Sequence, residues 1–420
     1  MPGDIRVTLS CILVLILTLF TSRAASPPDP LQPASRVRTG LEVLLMERQE
    51  LLRGKRVGII ANHTSCTAEG EWILDALSRI EGLTIGALFT PEHGLDLLDA
   101  STRERWKDVR RIDLHAGKRR PYPQELESLD AIVYDVQDVG CRFYTYTSTM
   151  LLAMDAAREA GLEFVVLDRP NPLGGTVVEG PVLLPEFRSF VGMIPIPIRY
   201  GLTAGELASL ANGEGYLQSG GKAELCVVPM QGWSRAMYFD ETGLPWIPPS
   251  PNLPNLESVL LYPGFCLLEG TNLSEGRGTM TPFTLMGAPW LDPAPLLAAA
   301  GPAGEAGISL AEAVYTPQSI PGMSEHPKYL GESVQGVKIS VTDRERLRSF
   351  RLAVLLIAEA EKGNNRFGWT GNRYIDLLAG RPDLRETIER GRDLERALAA
   401  WDSEALAFRE TSRKYFLYGD

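Results

Sequence analysis

ALFTPEHGL, residues 87–95, is the stretch on which the reading of this chain turns. Ala87, Leu88 and Phe89 have the apolar character of a buried strand; Thr90 and Pro91 end it, and Glu92, His93 and Gly94 follow at once. Proline stops a strand by removing a ladder donor, and glycine permits a tight exit. In an open parallel sheet, ligands and catalytic groups gather at the carboxyl ends of the strands. A carboxylate beside an imidazole at such a place predicts an acid/base pair, so Glu92 and His93 are the leading catalytic candidates.

Working outward, short apolar runs alternate with segments of helical period. Arg56 to Asn62, Leu83 to Phe89, Ala131 to Val136 and Phe164 to Leu167 read as strands, and Glu71 to Arg79 and Ser148 to Ala160 as helices. Continuously apolar strands separated by helices imply an α/β, Rossmann-like, mostly parallel sheet covered on both faces. Thr203 and Glu206 have the spacing of a capping box and predict a further helix. Beyond about Cys226 the texture changes. Met230 to Pro289 is dense in Gly, Pro, Trp and Asn, while Leu347 to Ala360 and Arg385 to Ala400 are helical again. The expected organisation is a signal peptide (1–25), a proline-rich tether (26–36), a Rossmann-like catalytic domain (37–225) and a smaller mixed α+β domain (226–420), with the active-site cleft between the last two.

Composition narrows the partners. The 420 residues are 44% hydrophobic and 23% charged, with a net charge of −11 and no basic patch, which argues against nucleic acid and anionic membrane surfaces. The apolar run Leu9 to Phe20 followed by Thr21-Ser22-Arg23-Ala24-Ala25 reads as an export signal, placing the protein in the periplasm or outside the cell, with an uncleaved anchor as the alternative. After cleavage there is no stable membrane insertion. Cys66, Cys141, Cys226 and Cys266 are few and widely spaced, and read as buried free thiols. His63, His93, His115 and His326 have no metal-ligand spacing, so no metal is expected. No G-x-G-x-x-G follows the first strand, the P-loop pattern fails at Gly221-Lys222, and no G-x-S-x-G occurs. A Rossmann-like sheet here therefore does not imply a dinucleotide.

Three further stretches combine ionisable groups with tight turns. Tyr134 to Tyr146 emits Asp135, Asp138, Arg142, Tyr144 and Tyr146, to be read either as substrate contacts or as an Asp–Arg pair with core tyrosines. In Leu167 to Gly175, two prolines bracket Asn171, and Glu179 follows; Asn171 and Glu179 read as site residues, while Arg169 reads as a group that knits strand ends. Leu268 to Thr279 holds Asn272, Glu275 and Arg277 among glycines that allow close backbone approach, with a surface salt bridge as the alternative. Trp246 reads as a seal between domains in preference to a platform for a sugar ring.

Taken in order, PEHG (91–94), DVQDVGCRFYTY (135–146), LDRPNPLGG (167–175) with VEGP (178–181), PIPIRYGLTAGELA (195–208), PPSPNLP (248–254), YPGFCLLEGTNLSEGRGT (262–279) and PF-x-x-x-GAPW (282–290) resemble the NamZ-type exo-β-N-acetylmuramidases. The resemblance runs from about Gly40 to Tyr418. It implies a cofactor-free glycosidase that releases N-acetylmuramic acid from the non-reducing end of peptidoglycan fragments, with Glu92 as its leading carboxylate and His93 beside it. Glycoside hydrolysis ordinarily uses a second carboxylate, for which Asp138, Glu179 and Glu275 are candidates, unless the sugar's acetamido group serves as nucleophile. Arg142, Asn171 and Arg277 are candidates for the lactyl carboxylate and ring hydroxyls. The chain departs from the family pattern over Asp96 to Glu125, at Tyr200 and at Thr284. A glycan-binding protein without activity and a glycosidase for another amino sugar are the rival readings.

Overall fold

Arg56–Ala61 (β1) is the axis of the larger sheet. Successive side chains of a strand point to opposite faces. Val57, Ile59 and Ala61 accordingly enter one apolar cluster and Ile60 the other, so both faces of the sheet are covered. The computed structural model describes residues 36–115, 117–299, 306–362 and 364–419. The expected signal peptide, and the tether up to residue 35, lie outside the described residues.

Thr84–Thr90 (β2) and Ala131–Asp135 (β4) pair with β1 on either side. Arg111–Asp113 (β3) extends the β2 side, and Glu163–Leu167 (β5) and Glu224–Val228 (β6) extend the other. The order is β3-β2-β1-β4-β5-β6, with every neighbouring pair parallel. This is the Rossmann order, which reverses direction at β1 and opens a crevice at the carboxyl ends of the central strands. β3 and β6 were not read from the sequence: one is three residues long, and the other, ELCVV, spans the change of texture placed near Cys226. The division expected after residue 225 falls inside β6.

Helix Tyr146–Ala160 shows why the faces are sealed. Met150, Ala153, Met154 and Ala157 recur at helical spacing and are all buried against the sheet, and Gly161 ends the helix with φ 68°. The capping box is present as expected: Thr203 Oγ1 accepts from Glu206 N at 3.2 Å, and Glu206 Oε2 accepts from Thr203 N at 3.1 Å. The helix expected over Glu71 to Arg79 is confined to Ile73–Leu77.

A second, antiparallel sheet follows, Leu285–Ala288 (β7), Ile308–Tyr315 (β8) and Val334–Val341 (β9), in the order β7-β9-β8. Helices Leu256–Phe265 and Ser349–Glu361 pack with it. The helical stretch read over Arg385 to Ala400 is two helices, Asp383–Arg390 and Leu394–Ser412, because Gly391 and Asp393 both take left-handed backbone. Residues 36–420 form one compact unit. Its larger apolar cluster runs without a break from Ile60 and Phe89 through Tyr262 and Phe283 to Ile339 and Trp401. Cys66, Cys141, Cys226 and Cys266 are free thiols, Cys226 only partly buried. Among the described residues no helix is long and apolar enough to cross a membrane.

Candidate active site

β2 delivers Glu92 to the crevice through a tight turn in which Gly94 N donates to Pro91 O at 3.1 Å. Gly94 has φ 42°, as its place in the sequence suggests, but His93 also has positive φ, 65°. A non-glycine residue held there costs on the order of 1–3 kcal/mol, and such strain clusters at functional sites. Two neighbours hold Glu92 in place. Thr145, the N-cap residue of helix Tyr146–Ala160, makes no capping bond and instead donates Oγ1 to Glu92 Oε2 at 2.7 Å. Tyr146 OH accepts from Asn62 Nδ2 at 2.8 Å and lies 3.2 Å from Glu92 O and 2.9 Å from Pro249 O, so its single proton is shared between two carbonyls.

Glu92 and His93 border a cleft of about 390 Å³. The parallel-sheet half adds Phe143, Tyr144 and Thr145; Ser250, Asn252, Leu253, Tyr262, Arg277 and Phe283 come from later in the chain. Glu92 is the only carboxylate in this lining among the described residues, and its side chain is 35% exposed. Phe283, like His93, has positive φ, 64°. Asn252 Oδ1 is a buried polar atom without a hydrogen-bond partner among the described residues, while the buried Tyr144 hydroxyl interacts with that of Tyr146, whose ring it meets edge-on at 4.6 Å.

The charges around the cleft are ordered. Burial holds the His93 pKa below its ordinary value; Glu92 pulls the other way, while His63, His115 and Arg277 add to the lowering. His93 is therefore a neutral imidazole at neutral pH. His63, also lowered by burial, has Nε2 2.8 Å from Pro248 O, so Nε2 carries the proton and the buried Nδ1 is left bare. Burial opposes the charge on Arg277, but Glu269 and Glu275 outweigh it and push the guanidinium up. Arg277 donates Nη2 to Glu269 Oε1 at 2.7 Å and lies 3.6 Å from Glu275 Oε1, and Lys328 Nζ is 3.0 Å from Glu275 Oε2.

Of the residues expected at the site, Glu92, His93, Tyr144 and Arg277 meet in the cleft, and Glu275 stands behind Arg277. The others do not line it. Asp138 is sealed in protein, where Tyr200 OH and Gly140 N (2.8 Å) donate to Oδ2 and Oδ1 has no partner. Burial pushes its pKa up to about 6 against those bonds. Arg142 donates to four backbone carbonyls, of Pro181, Ile196, Leu378 and Ala379. Burial lowers its pKa to about 9, and the side chain serves as a cross-link. Asn171 bonds Leu202 O and Leu173 N, and occupies the space a side chain at Gly140 would need. Glu179 joins Arg199 (3.1 Å) to Phe350 N (3.2 Å). Asn272 bonds Arg366 O and Gly368 N. Arg169 does knit the strand ends, donating Nη2 to Asp135 Oδ2 at 2.8 Å. Trp246 donates Nε1 to Pro254 O at 3.2 Å and meets Phe239 edge-on at 4.9 Å, contacts within the stretch 226–420 rather than across the expected domain boundary.

Thr145, Asn252, Tyr262 and Phe283 were missed. Each lies inside a stretch the sequence had singled out, but nothing in residue type separated them from their neighbours. Among the described residues no three His, Cys, Asp or Glu side chains converge as metal ligands.

Comparison with known proteins places this cleft in a family. Residues 57–257 match the N-terminal model, and 260–418 the C-terminal model, of the exo-β-N-acetylmuramidase NamZ family. The chain is 37% identical over 415 residues to the peptidoglycan β-N-acetylmuramidase NamZ of Bacillus subtilis, covering 96% of this chain and 97% of that protein. Two crystal structures of DUF1343 family proteins from Bacteroides fragilis superpose with TM-scores of 0.82 and 0.75, at 34% and 33% identity, each over 92% of this chain and all of the other. The chain belongs to the NamZ exo-β-N-acetylmuramidase family and is an enzyme of the glycoside hydrolase class.

Proposed function

We propose that this enzyme releases terminal N-acetylmuramic acid from the non-reducing end of peptidoglycan fragments, with Glu92 as general acid. The observation that carries the reading is a single half-exposed carboxylate in a cleft whose cation is Arg277. Arg277 spends Nε and Nη2 on Glu269, and Nη1 makes no hydrogen bond among the described residues. A guanidinium in that state suits the lactyl carboxylate that distinguishes muramic acid from other amino sugars. Asn252 Oδ1, without a partner among the described residues, suits a donor on the sugar's hydroxyl or acetamido group.

With Glu92 as the sole carboxylate in the lining among the described residues, the acetamido oxygen is the nucleophile that best fits the cleft. It attacks C1 as Glu92 gives its proton to the departing oxygen. Water then opens the cyclic intermediate while Glu92 takes the proton back, with net retention of configuration. Turnover of a chromogenic N-acetylmuramide followed by NMR tests both parts. The β anomer appears first if the reading holds; first appearance of the α anomer overturns the mechanism, and failure to release the sugar overturns the function. We further propose that the enzyme is exported, on the strength of the apolar run Leu9 to Phe20 and the small residues after it. Fractionation of cells with amino-terminal sequencing checks this, and a full-length cytoplasmic product would refute it.

A further inference from the structure

Outside the cleft, the segment after β3 presents a rim for which the proposed reaction has no use. His115 places Nδ1 3.9 Å from Glu92 Oε2, with 45% of its side chain exposed. Its ring centre is 6.5 Å from that of Phe190, and the guanidinium of Arg119 sits 4.3 Å above the Phe190 ring. Imidazole, phenyl and guanidinium thus form a continuous run leading away from the acid. The two residues flanking Arg119 are neutralised, Lys118 by Glu125 and Arg120 by Asp155 and Glu159. Arg119 is exposed and pairs with no carboxylate among the described residues, in a chain whose net charge is −11. Stacking on an aromatic face orients the guanidinium plane while leaving its edge donors free for a planar anion.

The position of this rim decides which part of a substrate it meets. A general acid must reach the oxygen between the departing group and the sugar it leaves, so the two lie on opposite sides of Glu92. On the reading of Glu92 as general acid, the terminal sugar occupies the cleft lined by Tyr144, Tyr262 and Phe283. The leaving group then passes over His115 and Phe190. We propose that Arg119, stacked on Phe190, is a leaving-group subsite that recognises a carboxylate carried by the aglycone, as on a peptide-bearing sugar. This rests on the reading of Glu92 as general acid.

The test compares two chromogenic N-acetylmuramides, one with a neutral nitrophenol and one with a carboxylated nitrophenol as leaving group. The ratio of kcat/KM for the carboxylated over the neutral substrate falls about tenfold in Arg119→Gln, the worth of one charge-assisted hydrogen bond in a partly exposed setting. Arg119→Lys, which keeps the charge but not the fork, retains an intermediate ratio. In the wild type the ratio declines as salt screens the contact. A ratio unchanged in Arg119→Gln overturns the subsite. If the wild type cleaves neither substrate, the glycosidase reading has failed. The leaving-group subsite, defined by that reading, is overturned with it.

Discussion

The ends of β2 and β4 are built from the same materials and do opposite things. Each strand is apolar and buried and is followed within a few residues by a carboxylate, a glycine and further polar side chains. At the end of β2, Glu92 is left half exposed, held by one hydroxyl and one phenol, and faces a cleft. At the end of β4, Asp135 and Asp138 are fully enclosed and committed to Arg169, Tyr200 and Gly140. The difference lies in what arrives from elsewhere in the chain. β4 sits between β1 and β5, and the segments after β5 close over its end. β2 has only the short β3 beyond it, which leaves its end open to substrate. A strand-end carboxylate is thus a place where chemistry can occur, and closure decides whether it does.

Breaking the open end has the largest expected effect. Glu92→Gln lowers kcat on a chromogenic N-acetylmuramide by about 10³-fold or more, with the melting temperature unchanged. Near-wild-type turnover would erase the contrast between the two strand ends. At the closed end the cost falls on stability. Arg169→Ala strands the buried Asp135 carboxylate and destabilises the fold by about 3–5 kcal/mol in chemical denaturation; a loss under 1 kcal/mol would mean that the pair behaves as a surface salt bridge.

Asp138 sharpens the comparison through pH. Its folded pKa of about 6 lies above the ordinary carboxylate value near 3.9, so the folded state holds the proton more tightly. The resulting stabilisation is complete below about pH 4 and is lost as pH rises through about 6. Relative to Asp138→Asn, the wild type loses up to about 3 kcal/mol between pH 4 and pH 7. Asp168, also pushed up to about 6 by burial, is present in both proteins and cancels. Denaturation curves at the two pH values measure the change, and a pH-independent difference would show that Asp138 is already ionised in the fold. The smallest effect belongs to Thr145→Val, which removes the bond to Glu92 Oε2. It lowers kcat about fivefold with little change in KM, the worth of about 1 kcal/mol; a change confined to KM would make Thr145 a substrate contact rather than a positioning residue.

Much of the fold was legible because its signals are local. The strands at 56, 84, 131 and 163 announce themselves by short apolar runs between turn residues, and the Thr203–Glu206 cap by its three-residue spacing. The site was less so. Of the residues singled out, Glu92, His93, Tyr144 and Arg277 meet in one cleft, whereas Asp138, Arg142, Asn171, Glu179 and Asn272 belong to stretches of the same composition that fold into internal ties. Positive φ at Phe283 has no signature in residue type, since a bulky aromatic ordinarily avoids that region, and at His93 the signature is weak, histidine being one of the few non-glycine residues enriched there.

By itself, the sequence determined the parallel sheet, the place of Glu92-His93 just past a strand, and the order of motifs that mark the family. These follow from periodicity, from proline and glycine punctuation and from residue identity, all carried within a few positions along the chain. Only the tertiary structure decided which carboxylates face the cleft. That choice depends on partners brought from far away: Arg169 reaches Asp135 across 34 positions, Tyr200 reaches Asp138 across 62, and Phe350 reaches Glu179 across 171. Each contact forms because an unpaired buried charge is costly and a distant group is in place to satisfy it. At Glu92 no distant segment closes over the carboxylate, which stays 35% exposed at the edge of the cleft.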